Sequence, residues 1–489
     1  MNTNHLAALP AFALLLGLTA CGARNSLLDE GGRGATGGAS SASSAISTST
    51  DISSAIASSG AGGEPEGSGG AAPIFAPHDT IQLALGSEHA CALFGDHTVK
   101  CWGKNDHGQL GLGDTSDRGA SPDTMGAALP TVDLGQGRTA IAIAAGFNAT
   151  CAVLDTHELK CWGWSPLGEL GLGDTATRGD TPGSMGDALP VVDLGPGARV
   201  DAVRVGNYHV CALLHDGSIR CWGDANASGS ATSHGAAPGT MGAALPAVQI
   251  GTKKAVKYVF AGFGTSCAIL DDEATKCWGI NEQGELGLGD TKGRGSEPGT
   301  MGDALPAIDF GAPRRAVAIA PSSYSTCALL DDGSVRCWGN GADLGLGSTK
   351  SYGGTPGTMG VNLPAVDLGV GRSALTLTTG ARWACALLDD HQIKCWGYNL
   401  AGQLGQGDSE NRGDQPLEMG DALPPIDLGA GTSVLAVEAG GFIGCALLAT
   451  RAVKCWGANF HGELGLGDTA SRGGGPGEMG DALPVVALW

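Results

Sequence analysis

The sequence predicts an all-β fold: a seven-bladed β-propeller of four-stranded blades, preceded by a signal peptide and a disordered linker. Three observations predict it. The tripeptide Cys-Trp-Gly begins at Cys101, Cys161, Cys221, Cys277, Cys337, Cys395 and Cys455, at spacings of 60, 60, 56, 60, 58 and 60 residues. Ten residues before each stands a second cysteine: Cys91, Cys151, Cys211, Cys267, Cys327, Cys385 and Cys445. The composition, with 84 glycines and few charges, suits strands and turns, because glycine weakens helices and supplies left-handed turn angles. Each repeat reads as an apolar strand, a short variable loop, a hairpin, a long turn-rich segment and a short strand such as "PPIDL". Four short strands at this period are propeller blades. A solenoid would need distinct capping repeats, whereas the first and last units carry the same motif as the rest.

The segments follow in order. Residues 1–20 hold the apolar run "LAALPAFALLLGLTA", too short to span a bilayer. With the next residue it ends in "LTAC", which resembles the bacterial lipoprotein signal and implies that Cys21 is lipidated after cleavage. Gly22, a residue other than aspartate, implies by the same resemblance an outer-membrane lipoprotein of the bacterial cell envelope, periplasmic or surface-exposed. The start "MNTNH" departs from the pattern in having no Lys or Arg, and an ordinary secretory signal is the alternative. Residues 21–76 are the lipidated cysteine and a linker of Gly, Ser, Ala and Thr that cannot bury enough apolar surface to offset its chain entropy. Such a tether has a mean span of roughly 40 Å. Residues 77–489 are the propeller.

Fifteen cysteines are an odd number; setting Cys21 aside leaves seven pairs. In "CALLDDGSVRC" the apolar stretches flank a three-residue loop with Gly333 in the left-handed position. Counting back from it, Leu330 faces Ser334, Leu329 faces Val335 and Cys327 faces Cys337, on a non-hydrogen-bonded pair where Cα atoms lie about 4.5 Å apart. Zinc motifs space ligands two to four residues apart, and a Cys-x-x-Cys redox motif is absent. Cross-strand disulfides are therefore the expectation, each contributing ~2–3 kcal/mol; reduced buried cysteines are the alternative.

The segments "CWGKNDHGQLGLGD", "GSIRCWG" and "GYNLAGQLGQGD" resemble the regulator of chromosome condensation repeat. The resemblance covers the propeller and implies seven blades. The units are longer than is typical of that family, the excess lying in "DTxxRGxxPGxMGDALP"-type turns. Nucleotide exchange on a small GTPase, the family's eponymous activity, does not carry over to an exported protein.

Comparing the repeats with one another separates frame from variation. Asp is followed four residues later by Arg at Asp114/Arg118, Asp174/Arg178, Asp290/Arg294, Asp408/Arg412 and Asp468/Arg472, and both change together to Ser348 and Tyr352 in the fifth unit. Joint loss predicts that they pair and pin the long loop. The seven motif tryptophans and the recurring methionines read as core. Apart from His89 and His209, the histidines look scattered. No HExxH, Gly-x-Ser-x-Gly or phosphate loop occurs, so no catalytic residue, metal ligand or cofactor is assigned. Acidic turns read as solvated rather than as calcium sites. A net charge of −21 without a basic cluster argues against nucleic acid.

The loop before each first cysteine differs in every unit: Glu88-His89, Phe147-Asn148, Asn207-Tyr208, Phe263, Tyr324, Arg382-Trp383 and Phe442-Ile443. Propeller loops of this kind open on one face, and aromatics with arginine are what protein-binding hot spots use. These residues are the candidate partner-binding set, unless each ring packs onto its own blade. The sequence thus predicts a monomeric, non-catalytic envelope scaffold binding a protein or glycan, membrane-held through lipid. A propeller hydrolase or lyase with an axial site, or a structural element without a partner, are the alternatives. Replacing Cys21 by Ser is expected to move the protein from the membrane pellet to the soluble fraction after cell fractionation; an unchanged, normally processed pellet fraction would refute the lipid anchor.

Overall fold

Alternating turns and apolar runs of this length make three-stranded antiparallel sheets. The computed structural model describes residues 75–489; Cys21, the signal and almost all of the linker lie outside the described residues. The first sheet contains an inner strand, Thr80–Leu85, a middle strand, His89–Phe94, and an outer strand, Val99–Gly103. Six more follow, each built from consecutive strands of its own repeat. The middle strand is buried along its whole length in every sheet, which is why it reads as an unbroken apolar run.

The hairpin register is the one its turn dictates. Leu329 lies opposite Val335 and Cys327 opposite Cys337, and the pairing recurs in every blade, Cys91 with Cys101 through Cys445 with Cys455. All seven pairs are disulfides, with Cα atoms 4.0–4.1 Å apart. Gly333 holds the left-handed turn position at φ 75°. His97, His157, Glu273, His391 and Arg451 hold the same position at φ 61–67°, a conformation uncommon for side-chain-bearing residues. Three histidines thus do share a repeated place, correcting their scattered look. Each of their Nδ1 atoms meets the carbonyl at the start of the next blade's inner strand: Ala140, Val200 and Val434, at 3.0–3.1 Å.

The blades hold three strands where the sequence predicts four. The expected fourth strand is an extended segment that makes one backbone bond to the outer strand, Val132 N–H to Val99 O and its six equivalents, at 2.8–2.9 Å. A proline opens each segment and removes a ladder donor. Where the segment carries aspartate, as at Asp133 and Asp427, the side chain accepts the N–H of the glycine two residues on and turns the chain away.

Neighbouring blades are locked by tryptophan. Trp102, Trp162, Trp222, Trp278, Trp338 and Trp456 are fully buried, and each Nε1–H donates to a backbone carbonyl of the preceding blade at 2.7–3.1 Å. The bond from Trp102 to Glu463 O joins the last blade to the first and closes the ring. The predicted Asp–Arg pairs form in all five of the long loops that carry them, at 2.5–2.7 Å. The sequence reading missed a second pin. A Lys or Arg precedes each Cys-Trp-Gly and reaches loop carbonyls, as Lys160 Nζ does to Leu134 O and Gly186 O at 2.9 and 2.7 Å.

At the axis the inner strands end on Gly86, Gly146, Gly206, Gly262, Ser322, Gly380 and Gly440, where backbones of adjacent blades nearly touch. A Cβ at Gly146 would stand 2.2 Å from Gly206 O and 2.5 Å from Val205 Cγ1. Gly146→Ala is therefore expected to destabilise the propeller by about 1–3 kcal/mol, read as a lowered midpoint in denaturant; an unchanged midpoint would show that the ring has slack.

Candidate functional site

Two short segments meet at one end of every blade. One is the loop between inner and middle strands; the other is the residue following Cys-Trp-Gly. The N–H of Lys104, Trp164, Asp224, Ile280, Asn340, Tyr398 and Ala458 donates to the carbonyl of Glu88, Asn148, Tyr208, Gly264, Tyr324, Arg382 and Phe442 respectively, at 2.8–3.1 Å. A fixed backbone frame thus carries two variable positions per blade.

Of the predicted partner-binding residues, Phe263, Tyr324 and Phe442 are 44, 44 and 40% exposed, while Glu88, Phe147, Tyr208 and Arg382 are half-buried. His89, Asn148, Asn207, Trp383 and Ile443 are buried, which removes them from the surface set. His89, Trp383 and Ile443 are first residues of middle strands, so strand alternation turns them into the space between blades. His89 Nε2 meets Thr150 Oγ1 at 2.9 Å, and Trp383 Nε1–H donates to Gly441 O at 2.9 Å. Asn207 uses its backbone N–H to reach Gly262 O in the next blade.

The sequence reading missed the other half of the rim. Trp164 and Tyr398 are half-buried, and Ile280, Leu400 and Phe460 are exposed. The signal was present: the residue after Cys-Trp-Gly is Lys, Trp, Asp, Ile, Asn, Tyr or Ala, a wider spread than at the positions beside it.

The rim divides into sectors. On the first blade Lys104 pairs with Glu88 at 2.7 Å. Between the second and third blades Phe147, Trp164 and Tyr208 form a triangle with centroids 5.8–6.3 Å apart, and His107 stacks on Trp164 at 5.0 Å. Between the fifth and sixth, the Arg382 guanidinium lies 5.8 Å from the Tyr324 ring and 5.3 Å from that of Tyr398. It also bonds Asp343 at 3.1 and 3.3 Å. Under the rim runs a row of buried acids and amides, Gln109, Glu169, Glu285, Asp343, Gln403 and Glu463. Burial pushes the Glu169 carboxyl up to about 7 and raises those of Glu285, Asp343 and Glu463.

Residues 81–109, 140–169, 200–230 and 316–343 match the regulator of chromosome condensation (RCC1) repeat, and residues 96–153 match a second form of it. The chain carries RCC1 repeats. It is similar to the ultraviolet-B receptor UVR8 of Arabidopsis thaliana, 26% identical over 401 residues that span 81% of each chain. Among solved structures it resembles Prp20p of Saccharomyces cerevisiae, studied for its binding to Gsp1p and histones (TM-score 0.55, 19% identity, 74% of this chain and 80% of that one). It also resembles human WBSCR16 (TM-score 0.56, 16% identity, 78% and 92%). These structures support the RCC1-type propeller fold.

The axis of this RCC1-type propeller holds a cavity of about 260 Å³ bounded by the inner strands of all seven blades. The sequence showed no paired ionisable groups there; the structure places Arg204 of the third blade and Glu438 of the seventh on its wall. Both are partly open to the cavity yet enclosed by protein. Desolvation lowers Arg204 to about 10 and raises Glu438 to about 8, each offset by the opposite charge of the other.

His89 and His209 are enclosed and neutral, burial lowering each to about 4 from the ordinary 6.5. The unfolded chain takes up these protons near pH 6.5 and the folded chain only near pH 4, so stability is lost as pH falls through that window, up to about 3 kcal/mol per residue. The double variant His89→Thr/His209→Thr, carrying the residue that stands at Thr265 in the fourth unit, should lose less stability than wild type between pH 7 and 4.5. Equal losses in denaturant melts would refute the assignment.

Proposed function

We propose that this protein is a non-catalytic binding scaffold of the bacterial cell envelope, an RCC1-type propeller tethered through lipidated Cys21 that holds a protein or other macromolecular partner on its variable rim. One observation carries the reading: seven blades of one frame diverge at two backbone-linked positions at the same end, and half of those fourteen positions hold aromatic or apolar side chains. A scaffold that had to keep its frame while selecting a partner would vary at such positions. Prp20p, a structural relative with binding properties towards Gsp1p and histones, supports a binding role in general terms. Exposed Phe263, Tyr324 and Phe442 are the anchors. Truncating such anchors typically costs above ~2 kcal/mol of binding, about thirtyfold in affinity.

The Arg204–Glu438 pair favours a second reading, an axial site for a small polar ligand or an axial enzyme. The two readings separate in one experiment. Phe263→Ala/Tyr324→Ala/Phe442→Ala should abolish capture of the partner that wild type retains from envelope extract, with the thermal midpoint within a few degrees of wild type. Arg204→Gln should leave that capture intact. Capture that survives the triple variant but fails with Arg204→Gln would move the function to the axis.

A further inference from the structure

The junction between the fifth and sixth blades is an occupied cation site. Asp343, 2% exposed, would be a buried carboxylate facing two tyrosines; Arg382 crosses from the next blade, bonds it, and lies over the rings of Tyr324 and Tyr398. Charge-assisted bonds and stacking of a planar guanidinium make this a strong combination once desolvated.

The junction between the second and third blades has the same frame without the cation. Glu169 stands in its repeat where Asp343 stands, before Leu-Gly, and Tyr208 stands where Arg382 stands, immediately before the middle strand. Glu169 is 3% exposed; its Oε2 accepts the N–H of Leu167 at 2.9 Å, and its Oε1 has no hydrogen-bond partner. A second carboxylate, Asp224, is close enough to push the Glu169 pKa further up. Among the described residues, neither carboxylate has an ion pair. Leaving a buried acceptor such as Glu169 Oε1 unpartnered is costly, and that atom beside three rings and half-buried Asp224, whose one carboxylate oxygen caps the Ala227 N–H at 3.1 Å, calls for a positive group. The triangle of Phe147, Trp164 and Tyr208 is tilted by 45–59° rather than stacked, so its rings do not consume one another's faces, although His107 stacks on Trp164.

We propose that this junction is a receptor for the guanidinium of an arginine on the partner, held by Phe147, Trp164 and Tyr208 against Glu169 and Asp224. The assignment rests on the rim being the binding face and names the chemistry of what it binds. The partner's arginine repeats what Arg382 does within the chain. Half-buried Tyr208 swings aside to uncover Glu169, a rotamer change available to a surface ring. A protein of net charge −21 also draws basic segments towards it.

The test uses the full chain and a fluorescent, capped tri-arginine peptide at physiological salt, with tri-citrulline and tri-lysine peptides beside it. Tri-arginine should bind at least tenfold tighter than tri-citrulline and measurably tighter than tri-lysine. Glu169→Gln should weaken it at least tenfold while the protein stays folded, because Gln109 and Gln403 fill the same place in other repeats. Tyr208→Arg should abolish binding and raise the thermal midpoint, since the chain then fills the site itself. Equal binding by wild type and Glu169→Gln would reduce the effect to diffuse attraction and overturn the proposal, as would no binding or a preference for lysine. None of these variants touches Phe263, Tyr324 or Phe442. A failed peptide test with intact partner capture therefore removes this site alone, whereas failed rim variants with intact peptide binding remove the broader reading.

Discussion

Six of the seven blades are held by a tryptophan that donates its indole N–H into the backbone of the blade before it. A three-stranded sheet of this size cannot bury its own faces, so the stability of any one repeat is borrowed from its neighbours. The indole settles how they meet, because its flat ring fills the space between sheets and its single donor has one carbonyl to find. Where that bond spans the last and first repeats, from Trp102 to Glu463 O, an array becomes a ring. Much else in the structure follows from that spacing, including the row of buried acids whose own carbonyls receive the indoles, as at Glu169, Glu285 and Glu463.

A frame fixed in this way leaves the rim free to vary. The hydrogen bond between the loop and the residue after Cys-Trp-Gly is made by backbone atoms alone, so side chains can change at either position without removing it, proline at the donor excepted. The fold thereby separates two demands that compete in most binding sites, rigidity and diversity. The arginine stacked at one junction and the glutamate with one unpartnered oxygen at another occupy equivalent places in the same frame.

The parts of this structure that were legible in the sequence are those governed by local rules. The turn with Gly333 set the register that brings Cys327 to Cys337, and joint loss at Ser348 and Tyr352 exposed the Asp–Arg pairing. What was not legible depended on one residue of phase or on distant partners. His89, Trp383 and Ile443 begin strands rather than end loops, and that single step turns a surface side chain into core. The fourth strand was inferred from its apolar residues, yet its proline and aspartate dismantle the ladder. Trp164 and Tyr398 follow so closely on the motif that they read as part of the frame. Arg204 and Glu438 come from the third and seventh blades, and only closure of the ring brings both to the axis.

The seven disulfides each join residues ten apart within one hairpin. Fourteen cysteines allow roughly 10⁵ complete pairings, a number that would make oxidation a search problem if partners lay in different blades. Here every cysteine's partner is its nearest unpaired neighbour along the chain. A hairpin can form, oxidise and be finished before the next repeat exists, so the order of synthesis is also the order of correct pairing. None of these seven disulfides joins one blade to another, and the ring is closed by noncovalent contacts such as the bond from Trp102 to Glu463 O.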